Sequence, residues 1–257
     1  MPYRKEEAAR EFAVWSKSYD RSILQWLLFT PSHEALIARL RDRFGDRPWS
    51  LLDVGCGTGV FAARVRDAFP LAKVWGVDLV AAMIQAGRLR PQPGGQPFAA
   101  VQGDSERLPF AAGSFDMVTC SNSFHHYPHQ DRAVAEMSRV LKPGGRLMLL
   151  DGHRDGYWGR FIYDVCVAGI EGEVHHASAS RVRELFRRAG FARTDQEVHS
   201  GLAPFLLTEG RMPPAEPLRV PAREKSAAMS SPDKAEGSPD LNVGRLPATC
   251  QESVLST

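Results

Sequence analysis

"LLDVGCGTGV", residues 51–60, decides the fold. An apolar run carries an acid at Asp53 and gives way to glycines at every second position, Gly55, Gly57 and Gly59. Directly after it, "VFAARVRDAF" (60–69) places Phe61, Val65 and Ala68 at helical spacing. The stretch therefore reads as strand, glycine loop, helix. Such a loop brings backbone amides against a nucleotide-bearing cofactor at the helix N-terminus.

Working outward, short apolar runs alternate with helical segments. "AKVWGVD" (72–78) is expected as a second strand and "LVAAMIQAGRLR" (79–90) as a helix, with "PQPGGQP" a loop. "FAAVQGD" (98–104) and "FDMVTCSNS" (115–123) read as strands three and four. "DRAVAEMSRVL" (131–141) reads as a helix closed by Lys142-Pro143-Gly144-Gly145, and "RLMLLD" (146–151) as strand five. Strands alternating with helices mean βαβ units, hence a parallel sheet covered on both faces.

The flanks are less regular. Residues 6–29 and 32–44 show apolar residues at helical spacing, Phe12, Trp15 and Tyr19 on the first and Leu36, Ile37 and Leu40 on the second. Pro31 with Ser32 is expected to restart the helix. "YWGRFIYDVCVAGI" (157–170) reads as a helix, and Ser180 as the cap of "RVRELFRRAG" (181–190), which ends at Gly190. "FARTDQEVHS" and "APFLLTEG" follow as closing strands. From residue 211 onward no aromatic appears while Pro, Ser, Ala and charges dominate, so 211–257 is expected to be a disordered tail. The division expected is a helical lid (1–45), a cofactor-binding core (46–210) and that tail.

Bulk properties exclude several classes. A formal net charge of +2 with no basic run does not indicate a nucleic-acid partner. Four scattered cysteines without CxxC pairing indicate neither a zinc site nor a disulfide framework and fit a reducing, cytoplasmic compartment. The N-terminus lacks an apolar signal segment, and "ILQWLLF" (23–29) is far short of the roughly 20 residues of a membrane span.

The glycine spacing separates two cofactors. The dinucleotide fingerprint G-x-G-x-x-G would require a third glycine at residue 60, which is Val60. A pyrophosphate also disfavours an anion nearby, and Asp53 is one; a ligand bearing an ammonium and a sulfonium, S-adenosylmethionine, does not. Asp78, ending the second strand, can accept the hydroxyls of either cofactor's ribose. In "GDSERLPF" (103–110), Asp104 and Ser105 stand where an adenine amino edge can be read. For Asp78 and Asp104 the plainer reading is a turn or cap acid, but their placement at consecutive strand ends favours binding.

"LLDVGCGTG", "VWGVD", "GDSERLPFAAGSFDMVTCSNSFHHY" and "LKPGGRLMLLD", in that order, resemble the class I S-adenosylmethionine-dependent methyltransferases, closest to the ubiquinone/menaquinone-pathway C-methyltransferases and related small-molecule enzymes. The resemblance implies a Rossmann-like, seven-stranded, mostly parallel sheet, order 3-2-1-4-5-7-6 with strand seven antiparallel and helices on both faces. It implies that Gly55, Gly57, Thr58 and Gly59 cradle the methionine part, with Asp53 ordering the loop. Asp78 would hold the ribose diol, with Leu79 and Met83 beside the adenine. Asp104 would accept from the adenine amino group and Ser105 offer its amide. Ser121 would line the methionine side, and Tyr19 in "SYD" would close over the carboxylate.

"FHHYPH" (124–129) adds a chemical question. His125, His126 and His129 are adjacent on a loop and no carboxylate-rich cluster completes a site, so no metal is expected. His125 or His126 is instead the candidate general base, since the loop follows strand four and borders the transferred methyl group. The Asn/Asp-Pro-Pro-Tyr/Phe motif of enzymes that methylate base or glutamine amino groups is absent, "SNSF" standing in its place. The expected activity is methyl transfer to a small molecule, with C- or O-methylation of an aromatic or quinone-like compound foremost. A nicotinamide-dependent oxidoreductase and a non-catalytic cofactor-binding protein are the alternatives. The oligomeric state is not legible.

Overall fold

The computed structural model describes residues 23–89, 99–163, 175–201 and 203–215. In chain order they form α1 (Ile23–Phe44), β1 (Trp49–Val54), α2 (Val60–Ala68), β2 (Ala72–Asp78), α3 (Ala81–Leu89), β3 (Ala100–Gln102) and β4 (Phe115–Ser121). A 3-10 turn (Phe124–His126), α4 (Gln130–Val140), β5 (Leu141–Gly152), α5 (Tyr157–Phe161), α6 (Ala179–Arg188), β6 (Arg193–His199) and β7 (Phe205–Arg211) follow. The seven strands form one sheet in the order β3-β2-β1-β4-β5-β7-β6. β1 to β5 pair parallel, and β7 runs antiparallel to both β5 and β6. This is the expected α/β architecture and strand order.

Period-two alternation explains how one sheet carries two cores. Leu51, Met117, Met148 and Leu150 face one side, where Leu36, Ile37 and Leu40 of α1, Phe61 and Val65 of α2 and Ile84 of α3 pack. Their chain neighbours Leu52, Val118, Leu147 and Leu149 face the other, against Val134 and Met137 of α4 and Val182, Leu185 and Phe186 of α6. Both faces are apolar because both are covered.

Five local expectations are corrected. α1 runs straight through Pro31 instead of restarting there; the Ser32 hydroxyl donates to the Phe29 carbonyl at 2.8 Å, a side-chain donor in the turn where proline has no N–H. The cap of α6 is Ser178, whose Oγ accepts the Arg181 amide at 3.2 Å; Ser180 lies inside the first turn. Lys142–Gly145 does not close a helix but bulges within β5, the register to β4 jumping from Phe115–Leu141 to Met117–Arg146. The expected tail begins too early, since Arg211 closes β7 opposite Arg146 and Arg193, and Met212 packs on the core. β3 is shorter than expected, three residues at the sheet edge. Residues 1–22, the loop segment 91–97, the stretch 164–170 and 216–257 lie outside the described residues. Among those described, no helix is long and apolar enough to cross a membrane.

The order reverses between β1 and β4, so both strands release their connections on either side of a crevice at their carboxyl ends. In open α/β sheets ligands bind there.

Candidate functional site

The loop after β1 is built on left-handed backbone. Gly55, Gly57 and Gly59 have φ of 72°, 54° and 74°, a region that a Cβ disfavours. Gly55 is constrained twice: a Cβ there would stand 2.3 Å from Ser123 Oγ and 2.6 Å from Tyr127 Oη. Ser123 and Tyr127 are the two caps of the 3-10 turn, so the loop rests on both ends of that turn. A Cβ at Gly57 would meet nothing within 4 Å, which leaves this face of the loop open. Thr58 is buried, and the α3 backbone comes so close that a Cβ on Gly87 would reach the Thr58 carbonyl at 2.5 Å.

Asp78 ties this loop to β2. Its Oδ2 accepts the Gly57 amide at 2.8 Å and its Oδ1 the Val80 amide at 2.8 Å. Burial raises this carboxyl above its ordinary range, and the two amides oppose the rise. Each oxygen of a carboxylate can accept twice, so both retain capacity for a ligand hydroxyl. Leu79 is partly exposed beside it, its carbonyl taken by Gln102 Nε2 at 3.0 Å, while Met83 is buried under the loop side of α3. Beyond β3, Asp104 Oδ1 accepts the Glu106 amide at 3.0 Å and its carbonyl the Arg107 amide at 2.9 Å, so Asp104 and half-buried Ser105 sit in a tight turn. The plainer reading of Asp104 as a turn acid is realised, on one of its oxygens.

Asp53 departs from its expected place. It is 3% exposed, within β1, and accepts the hydroxyl of Thr119, its register partner on β4, at 2.8 Å. Burial pushes its carboxyl up to about 7, against that hydrogen bond, with Asp78 adding to the rise. It is thus no fixed anion at the loop mouth. Because its folded pKa lies above its ordinary value of 3.8, the stability it contributes is complete below that value and is lost as pH climbs through about 7. Urea unfolding of wild type against Asp53→Asn at pH 5 and 8 is expected to show the variant flatter, with Asp53 accounting for up to about 1.4 kcal/mol per pH unit in that window. Parallel pH profiles for the two would remove Asp53 as the cause.

The second half of the site lies at the ends of β4 and β5. Half-buried Ser121 accepts from Asn122 Nδ2 at 3.1 Å, and the same amide nitrogen donates to Ser32 Oγ of α1 at 3.1 Å. His125 is buried, its Nδ1 2.6 Å from Asp151 Oδ1. Burial alone would raise Asp151; the charge and hydrogen bond of His125, with His176, outweigh it and hold the carboxyl down to about 2. Asp151 therefore stays ionised, and whenever the His125 imidazole is neutral this contact keeps its remaining proton on Nδ1. His126, ring centroid 4.1 Å from that of His125, is different: burial, and then His125, push its imidazole down to about 2. That direction disfavours His126 as a base near neutrality. Tyr19 lies outside the described residues.

Sequence reasoning missed two members of this cluster. Asp151 carries the same signal that found Asp78, an acid closing an apolar strand. His176, which with His175 reads from sequence as a surface or lid residue, is instead buried; it precedes α6 in an irregular segment, which is stitched to the turn by the His175 amide on the His125 carbonyl at 2.8 Å and Gln130 Nε2 on the His175 carbonyl at 2.9 Å.

Comparisons with known proteins bear on the family and the fold. Residues 52–149 match a family described as a methyltransferase domain. The ubiquinone/menaquinone biosynthesis C-methyltransferase of Bordetella parapertussis is 35% identical over 153 residues, 59% of this chain and 58% of that one. The chain spans 49–58% of the length of the first such relatives it matches. Among solved structures, an S-adenosylmethionine-dependent methyltransferase of Thermotoga maritima aligns with a TM-score of 0.63 at 19% identity, over 79% of this chain and 99% of that one. Magnesium protoporphyrin IX methyltransferase of Synechocystis, with S-adenosylhomocysteine bound, gives 0.60 at 17% identity, over 74% and 88%. At these identities the two structures speak for the fold alone.

Proposed function

Residues 52–149 match a methyltransferase-domain family, and we propose that this chain is a class I S-adenosylmethionine-dependent methyltransferase that methylates a small molecule, by C- or O-methylation of an aromatic or quinone-like acceptor. The observation that carries the reading is the left-handed glycine loop anchored on Asp78, with one face open at Gly57. The residues fit the cofactor: an open glycine cradle at the end of β1 and acceptor oxygens at the ends of β2 and β3. Gly55, Gly57, Thr58 and Gly59 receive its methionine part. Asp78 takes the ribose hydroxyls on its remaining lone pairs, Leu79 and Met83 flank the adenine, and Asp104 with the Ser105 amide reads its amino edge. Ser121 lines the methionine side.

When bound, S-adenosyl-L-methionine supplies an electrophilic methyl carbon. What remains for the chain is alignment and a proton. Holding the acceptor in line is the larger contribution, because positioning replaces a bimolecular encounter. His125, its tautomer set by Asp151, takes the proton of a hydroxyl or acidic carbon on Nε2. Free thiols at Cys56 and Cys120 support a cytoplasmic setting.

Calorimetry on the purified chain tests the cofactor. Binding of S-adenosylhomocysteine and none of NAD is expected. Asp78→Ala, folded by circular dichroism, is expected to weaken that binding about 10–100-fold, the loss of a hydrogen bond to a charged group. Binding of NAD alone would establish the oxidoreductase alternative in its place. Cofactor turnover against phenolic, quinone-like and amine libraries then identifies the acceptor; binding without turnover on any of them would favour the non-catalytic alternative.

A further inference from the structure

We propose that His125, Asp151 and His176 form a site for one divalent transition metal of the zinc type, a reading that goes beyond methyl transfer. Three separate segments bring them together: the 3-10 turn after β4, the end of β5 and the irregular run into α6. One ligating atom from each lies within 4.8 Å of the others, and all three residues are buried. Asp151 Oδ1 is 2.6 Å from His125 Nδ1 and 3.7 Å from His176 Nδ1. Ligands on a tetrahedral ion at zinc–nitrogen and zinc–oxygen distances stand about 3.4 Å apart. The observed separations bracket that value, so small side-chain rotations admit the ion.

Two observations exceed what a His–Asp pair requires. A pair uses one imidazole, yet a second, His176, is set against the same carboxylate, its ring centroid 4.5 Å from that of His125. Asp151 Oδ1 also accepts the Gly152 amide at 2.8 Å, whereas Asp151 Oδ2 is buried and meets no hydrogen-bond donor among the described residues. A buried carboxylate oxygen without a partner is costly, and a cation supplies one. The surroundings are those of a held ligand set. Tyr163, anchored by its hydroxyl on the Pro204 carbonyl at 2.8 Å, lies 4.7 Å from the His176 ring, and the His175 amide fixes the turn.

Two imidazoles and one carboxylate are borderline donors that suit zinc, cobalt or ferrous iron over magnesium or calcium. Three protein ligands leave a position open, the arrangement of reactive rather than structural sites. Held through His125 Nδ1, the ion would release to solvent the proton that bridges His125 and Asp151 and lower the proton affinity of an acceptor oxygen, so that the metal-loaded site replaces His125 as the base. This role rests on the methyl-transfer reading; the binding of the ion does not.

The test uses the full chain without a polyhistidine tag, stripped with chelator, then titrated with Co²⁺ followed by its visible absorption, and with Zn²⁺ followed by elemental analysis after gel filtration. One retained ion per chain and a cobalt band are expected, both lost in Asp151→Asn and His176→Gln. A wild type that retains no ion, or variants that retain it equally, overturns the proposal. Should a variant not fold, thermal unfolding of the wild type decides: a rise with Zn²⁺ and none with Mg²⁺ supports the site, and no rise with Zn²⁺ overturns it. S-Adenosylhomocysteine calorimetry on the same samples keeps the two readings apart, since failure there leaves a retained metal standing.

Discussion

His125→Ala is expected to lower kcat by about 10²–10⁴-fold, the range for removal of a positioned proton-transfer group, while S-adenosylhomocysteine binds as before. The split follows from the architecture. The cofactor's expected partners sit on the loops after β1, β2 and β3, whereas His125 and Asp151 sit at the ends of β4 and β5. Asp151→Asn is the informative companion. A carboxamide can donate to His125 Nδ1, which moves the ring proton to Nε2 and removes the lone pair that would accept from the substrate. A comparable fall in kcat is expected although the residue is nearly isosteric. Steady-state release of S-adenosylhomocysteine at saturating acceptor measures both. A full kcat in His125→Ala would move the chemistry away from this turn, and a change in KM alone would make His125 a binding group.

The second large effect is expected at Gly55. Its φ of 72° costs a residue with a Cβ about 1–2 kcal/mol. The added atom would also stand 2.7 Å from Ser123 Cβ, which, unlike a hydroxyl, cannot swing aside. Overpacking of this kind costs about 1–3 kcal/mol more. Ser123 Oγ contacts the Val54 carbonyl at 3.3 Å, Cys120 Sγ at 3.3 Å and Tyr127 Oη at 3.1 Å, so displacing it loosens the whole turn. Gly55→Ala is expected to lower the melting temperature of the cofactor-free protein by about 6–20 °C and to weaken S-adenosylhomocysteine binding about 100-fold. Gly57→Ala separates strain from crowding. Its φ is 54° but a Cβ meets no atom within 4 Å, so the cofactor-free protein should lose only a few degrees. Equal losses in the two variants would discard the crowding account.

Periodicity and punctuation made the central part of this fold readable. Apolar strand runs, three of them with an acid near the carboxyl end, alternating with amphipathic helices, announced β1, β2, β4 and β5. The order of the sheet and the reversal of β7 came through family resemblance, because no local signal states which strand a given strand will join. The errors arose where tertiary contacts override local rules. Pro31 is accommodated because α1 is held on the sheet by Leu36, Ile37 and Leu40, and Lys142–Gly145 is drawn into β5 by its neighbours. At the site, Asp78 was legible because a strand end is a local feature. The neutralising burial of Asp53 was not, since it depends on the strands that enclose β1, of which β4 brings Thr119 opposite it from 66 residues away in sequence. The meeting of His125 with His176 depends likewise on how an irregular segment folds back.

The contact of Gly55 with both caps of the 3-10 turn also bears on the two halves of the site together. Loop and turn share one wall, since a Cβ on Gly55 would strike both Ser123 and Tyr127. Thermodynamic linkage makes any exchange across it symmetrical: whatever affinity one occupant lends the other is returned in equal measure. Gly55 is thus the point at which donor and acceptor sites share structure, and any coupling between them through it is felt equally from either side.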